Sequence, residues 1–113
     1  MSRVYKILTR DAWDAAVAQG RFAGAAIDLK DGYIHLSTGA QAQETARLHF
    51  RGQTGLVVAA FEAEAFGDAL KWEPSRGGQL FPHLYGDLDP TLALAVTPAP
   101  LDAEGAPQLG PLI

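Results

Sequence analysis

The sequence predicts a single domain of the α+β class. Short strand-like runs recur along the chain, two helical segments with capping residues lie among them, and no linker or internal repeat divides the 113 residues. A chain of this length buries roughly two thirds of the surface its unfolded form exposes, enough for a core without staples. Cysteine is absent, which removes disulfides, thiolate zinc sites and cysteine nucleophiles from consideration. No apolar run approaches the roughly 20 residues of a membrane helix, and the first residues interleave charge with apolar side chains, so a cytoplasmic protein without a membrane partner is expected. A formal charge of -4 argues against non-specific nucleic-acid binding, whose affinity comes from lysines and arginines on phosphates.

Residues 4–8 form the first expected strand, with Tyr5 and Ile7 on one face and Val4, Lys6 and Leu8 on the other. Thr9 caps a helix over 10–19, in which Trp13, Ala16 and Val17 recur at helical spacing and Gly20 supplies the stop. Trp13 reads as the anchor of that helix on the sheet. Residues 21–31 have no period and contain Gly24, so they read as a loop with room for one helical turn, placed as a lid beside the strand that follows. That strand, 32–38, sends Ile34 and Leu36 to one face and Tyr33, His35 and Ser37 to the other, which lines up an aromatic ring, an imidazole and a hydroxyl.

Thr38 and Gln41 make a capping-box pattern for a second helix, with Ala42, Ala46 and Phe50 on one face and an end near Arg51 and Gly52. The hydroxyls of Ser37 and Thr38 therefore have a capping role available as well as a ligand role. The unbroken apolar run 56–61 is the signature of a central strand covered on both faces. A turn or short helix over 62–68 leads to a strand over 69–73, with Leu70 and Trp72 on one face. The loop 74–79 carries Gly77 and Gly78 and reads as mobile or as a flap. In 80–87, Pro82 restricts the approach to His83, which shares a face with Tyr85 while Leu84 turns to the core, so the pairing of aromatic ring and imidazole occurs twice. A last strand over 92–97, with Leu92, Leu94 and Val96 on one face, ends at Pro98 and Pro100. The segment 99–113 is an extended tail of the same domain, held by Leu109, Leu112 and Ile113 or partly disordered.

Three histidines exist, at 35, 49 and 83. Their spacing matches no local metal motif, and His49 has no acidic neighbour three or four residues on, so no metal is expected. There is no Gly-x-Ser-x-Gly elbow for a serine hydrolase, no P-loop and no Gly-x-Gly-x-x-Gly fingerprint.

Tyr5-Lys6-Ile7 before a Trp-containing helix, then Gly32-Tyr33-Ile34-His35-Leu36-Ser37, Phe50-Arg51-Gly52, Lys71-Trp72-Glu73 and Phe81-Pro82-His83-Leu84-Tyr85-Gly86 resemble, in this order and at these intervals, the short bacterial family called domain of unknown function 952. The match runs from about residue 3 to 98. The resemblance implies a fold similar to the ADP-ribosyltransferases, a compact domain over 1–98 with a bent, split, mainly antiparallel sheet around a nicotinamide-dinucleotide cleft. His35-Leu36-Ser37 looks like the His-x-Ser/Thr motif of two branches of that fold, in which the histidine bonds a ribose hydroxyl and the hydroxyl side chain bonds the nicotinamide carboxamide. The resemblance further implies that Tyr33 or Tyr85 stacks on the nicotinamide and that Arg51 or Arg76 meets the pyrophosphate. Glu73, which ends a strand beside the flexible loop, is the candidate for the catalytic glutamate. The arginine-rich set of the RNA phosphotransferases has no counterpart. His83 belongs to the family's own pattern, and a role as acid/base or phosphate ligand rests on imidazole chemistry alone. The expected function is thus an NAD- or nucleotide-binding enzyme of the ADP-ribosyl type, with NAD as substrate. The alternatives are a binder that kept the cleft and lost the chemistry, and a protein-interaction domain presenting Tyr33, Trp72 and Tyr85. A monomer is the expected form.

Overall fold

Alternation along the first strand buries both of its faces, which requires layers on either side of the sheet it joins. The computed structural model, which describes residues 2–112, shows how. The chain runs β1 (Arg3–Thr9), α1 (Arg10–Gln19), α2 (Ala26–Asp31), β2 (Ile34–His35), β3 (Ser37–Thr38), α3 (Gly39–His49), β4 (Leu56–Glu62), β5 (Leu70–Pro74), β6 (Leu80–Leu84) and β7 (Ala95–Pro98), with 3-10 turns at Ala63–Ala69, Arg76–Gly78 and Pro90–Leu92. Two antiparallel sheets result, one ordered β3-β1-β4-β7 and the other β2-β6-β5.

The apolar run 56–61 is buried throughout and lies between β1 and β7, as its composition predicts. Val57, Ala59 and Phe61, with Val4 and Leu8, pack against α1 and the smaller sheet, where Trp13, Ile34 and Leu84 complete the layer. Leu56, Val58 and Ala60, with Tyr5 and Ile7, face Ala42 and Ala46 of α3 and Ala99 and Leu109 of the tail. Trp13 meets Phe61 with ring centroids 6.4 Å apart, the anchoring contact expected of it. The caps form too: the Thr9 hydroxyl accepts the Ala12 N–H at 3.0 Å, and the Thr38 N–H donates to Gln41 Oε1 at 3.1 Å.

Three expectations change. The stretch 32–38 is two strands in different sheets, because Leu36 donates its N–H to the Pro82 carbonyl (3.1 Å) and the chain then leaves β6 for β1. Residues 21–31 contain a helix, α2, whose apolar side chains Ile27 and Leu29 are exposed while Asp28 is buried. Such a helix has no apolar stripe to read. The last strand begins at Ala95, since Asp89 and Pro90 set a 3-10 turn before it and leave Leu92 and Leu94 exposed. Leu70 and Trp72 share a face of β5 as expected, Leu70 buried and Trp72, opposite Pro82 on the outermost strand of the smaller sheet, exposed.

The tail is ordered along its described length. Gly52 N–H donates to the Gly105 carbonyl at 2.7 Å, Leu109 N–H donates to Gln43 Oε1 at 3.2 Å, and the Asp102 carboxylate accepts the N–H groups of Glu104 and Ala106. Ile113 lies outside the described residues. Among the described residues no helix is long and apolar enough to cross a membrane.

Candidate functional site

The smaller sheet builds the site. In its antiparallel register His35 pairs with His83 and His83 with Lys71, while Phe81 pairs with Glu73, so these side chains share one face. Tyr33 and Tyr85 extend that face just beyond the strand ends. Tyr33 stacks on His83 with centroids 4.0 Å apart and planes inclined by 26°. It lies 4.6 Å from the His35 ring and 5.3 Å from Tyr85. His35 meets His83 edge-on at 5.7 Å. Glu73 closes the group: its Oε1 accepts His83 Nδ1–H at 2.7 Å and the Tyr85 hydroxyl at 2.7 Å, and Oε2 makes no hydrogen bond among the described residues.

Beneath this face lies a buried ion pair. Lys6 and Asp28 are 6% and 2% exposed. The Lys6 ammonium donates to Asp28 Oδ2 at 3.0 Å and Oδ1 at 3.2 Å, and to the His35 carbonyl at 3.1 Å. Asp28 Oδ1 also accepts the His35 backbone N–H at 3.0 Å and lies 2.7 Å from Nδ1 of its ring, while Oδ2 accepts the Ala25 N–H at 2.8 Å. His35 is therefore gripped by backbone and ring together. Its other nitrogen, Nε2, lies 2.9 Å from Asp31 Oδ2.

The electrostatics follow from these contacts. Burial opposes the charge on Asp28, but the hydrogen bond from the His35 ring, the Lys6 ammonium and the backbone N–H groups of His35 and Ala25 outweigh it and hold the carboxyl well below its usual range. Burial lowers the Lys6 pKa, against the pull of Asp28. Hydrogen bonds from His83 and then Tyr85 lower that of Glu73, so a carboxylate stands among the rings at neutral pH. The same bond to Glu73 raises the Tyr85 pKa, and burial, then Asp31 and Glu73, raise that of Tyr33. A cleft of about 200 Å³ opens beside Tyr33, the one ring of the cluster that lines it, with Asp28, Leu29, Gly32, Gly86 and Asp87 among its other walls.

Of the residues singled out in the sequence, Tyr33, His35, Glu73, His83 and Tyr85 converge. Ser37 does not join them: beyond the change of sheet its buried hydroxyl lies 3.1 Å from Thr45 Oγ1 on α3. Arg76 donates to the same Thr45 oxygen at 3.2 Å, and its guanidinium lies 5.0 Å from the centre of the Phe81 ring, beside the site. Arg51 donates to the Glu104 carbonyl at 3.0 Å and belongs to the tail contact. It follows α3, an 11-residue helix whose length, roughly 16 Å, separates it from Ser37 and Thr38. Lys6, Asp28 and Asp31 were missed. A lysine sharing a strand face with Val4 and Leu8 was the available signal, because a buried ammonium demands a carboxylate partner. Among the described residues no group of His, Asp or Glu side chains is arranged to hold a metal ion.

Comparison with known proteins agrees with this architecture and adds no activity. The X-ray crystal structure of protein CC0527 from Caulobacter crescentus superposes with a TM-score of 0.94 at 59% sequence identity, covering 96% of each chain. The solution NMR structure of the same protein gives a TM-score of 0.86 at 59% identity, over 97% of this chain and 95% of that one. No curated protein matches the sequence. Residues 7–96 match the family described as protein of unknown function (DUF952), and the chain belongs to that family.

Proposed function

We propose that the face formed by Tyr33, His35, Glu73, His83 and Tyr85 binds a nucleotide of the NAD type and acts on its nicotinamide–ribose bond. The observation that carries this reading is the Glu73 carboxylate, charged, with one oxygen free of hydrogen bonds among the described residues, beside a cluster of four aromatic and imidazole rings. Aromatic faces take a planar ring, and a fixed carboxylate stabilises positive charge developing on a sugar. In this reading Tyr33 or Tyr85 stacks on the nicotinamide and His35 orients the ribose through a hydroxyl. Glu73 stabilises the oxocarbenium-like state as nicotinamide departs with the bonding electron pair, and water or an acceptor nucleophile then bonds to the sugar carbon. The cleft of about 200 Å³ suits one ring, so the remainder of the nucleotide lies along the outer face, toward Lys71 and Arg76.

Thermal unfolding with NAD, ADP-ribose and nicotinamide is the first test, since a ligand at 100 times its dissociation constant adds about 2.7 kcal/mol. A shift with NAD that His35→Ala abolishes, with nicotinamide release that Glu73→Gln abolishes, is the expected result. The absence of any shift in the wild type overturns the reading. A second reading, a binder without chemistry, is favoured by one observation: both His35 nitrogens and Nδ1 of His83 already face carboxylates of the protein itself. It predicts the NAD shift without nicotinamide release.

A further inference from the structure

The two carboxylates that flank His35 are held very differently. Asp28 is almost completely enclosed and accepts from Lys6, Ala25 and both the backbone and ring of His35. Asp31 has a side chain 35% exposed, and among the described residues the only hydrogen bond of its carboxylate is the one to His35 Nε2. Its position also does nothing for the helix. Asp31 is the last residue of α2, where the free carbonyl ends disfavour a negative charge, and Gly32, at φ 88°, already terminates the helix. The His35 side chain is 31% exposed, and its outer nitrogen is occupied by Asp31.

We propose that Asp31 is a displaceable stand-in for the ligand: it holds His35 Nε2 in the free protein, and an oxygen acceptor of the ligand replaces it while Asp28 and Lys6 keep the ring in place. Both ring nitrogens face carboxylates, so Nε2–H is presented as a donor and passes from Asp31 to the ligand oxygen without a change of ring position. The charged and titratable groups around the ring are Asp28 and Asp31 from α2, Lys6 from β1, Tyr33, and His83 from β6 with its partner Glu73 on β5. That the natural acceptor is a ribose hydroxyl rests on the function proposed above. The exchange itself does not.

The test uses the full chain, wild type and Asp31→Ala, with the nitrogen resonances of the His35 imidazole followed during titration with formate. Formate is expected to shift Nε2 saturably in Asp31→Ala and to leave it in place in the wild type at the same concentration. In the same variant NAD should bind more tightly, of order tenfold, because no contact within the protein has to open first. Circular dichroism checks the fold, and Asp31→Ser replaces the alanine variant if that fails to fold. A formate response equal in the two proteins, or absent from the variant, overturns the proposal. If formate binds only the variant and NAD binds neither protein, the stand-in holds and the NAD reading falls. If formate responds equally in the two proteins and NAD binds both equally well, the stand-in falls and the NAD reading holds.

Discussion

Lys6→Met tests the buried pair most sharply. The substitution keeps an unbranched side chain of similar length and removes only the ammonium, which donates to both oxygens of Asp28 and to the His35 carbonyl. Breaking a buried ion pair from one side costs about 3–5 kcal/mol, because the charge left behind stays desolvated. Asp28 retains three donors, from Ala25 and from the backbone and ring of His35, so the low end, about 3 kcal/mol, applies. At about 2.1 cal/mol/K of unfolding entropy per residue, that lowers the melting temperature of a domain this size by about 10–15 °C. Thermal denaturation at pH 7, followed by circular dichroism, reads it directly. Lys6→Met with Asp28→Leu should not recover the loss, since the N–H groups of Ala25 and His35 and the His35 ring then lose their acceptor. A single variant within about 3 °C of the wild type would refute the view that this pair holds the site together.

Three further outcomes follow from particular contacts. The carboxyl of Asp28 titrates lower in the folded chain than in the unfolded one, so its stabilising contribution is present at neutral pH and is lost as the pH falls below about 4; the stability gap between wild type and Asp28→Asn should narrow over that range in thermal scans. Gly24 sits at φ +123°, and a Cβ there would lie 2.9 Å from the Cβ of Asp28; Gly24→Ala should cost of order 1–3 kcal/mol in chemical denaturation. The bond to Glu73 raises the Tyr85 pKa, so Glu73→Gln should bring phenolate absorbance in at lower pH than in the wild type.

What the sequence made legible, and what it did not, follows from the kind of signal each element carries. α1 and α3 bury side chains at helical spacing and have local caps, while β1 and β4 are apolar runs buried on both faces, so Thr9, Trp13, Gln41 and the run 56–61 announced them. The ring cluster was half legible. Alternation paired Tyr33 with His35 and His83 with Tyr85, but only the register of β2 against β6 brings the two pairs into contact. Ser37 departed from its neighbours because the chain changes sheet at Leu36, a tertiary event with no local mark. α2 was hidden because the residue it buries is an aspartate, whose partner Lys6 lies 22 positions earlier in the chain. Charge pairing of that kind has no period.

Binding of a nucleotide of the NAD type to the face built by β2, β5 and β6, as proposed above, is read by backbone and imidazole chemical-shift mapping during titration with NAD. Saturable shifts at Tyr33, His35, Glu73, His83 and Tyr85 that disappear in a folded His35→Ala variant are the predicted result. Shifts confined to another surface, such as that around Trp72 and Leu80, or no shifts at millimolar NAD, would contradict it.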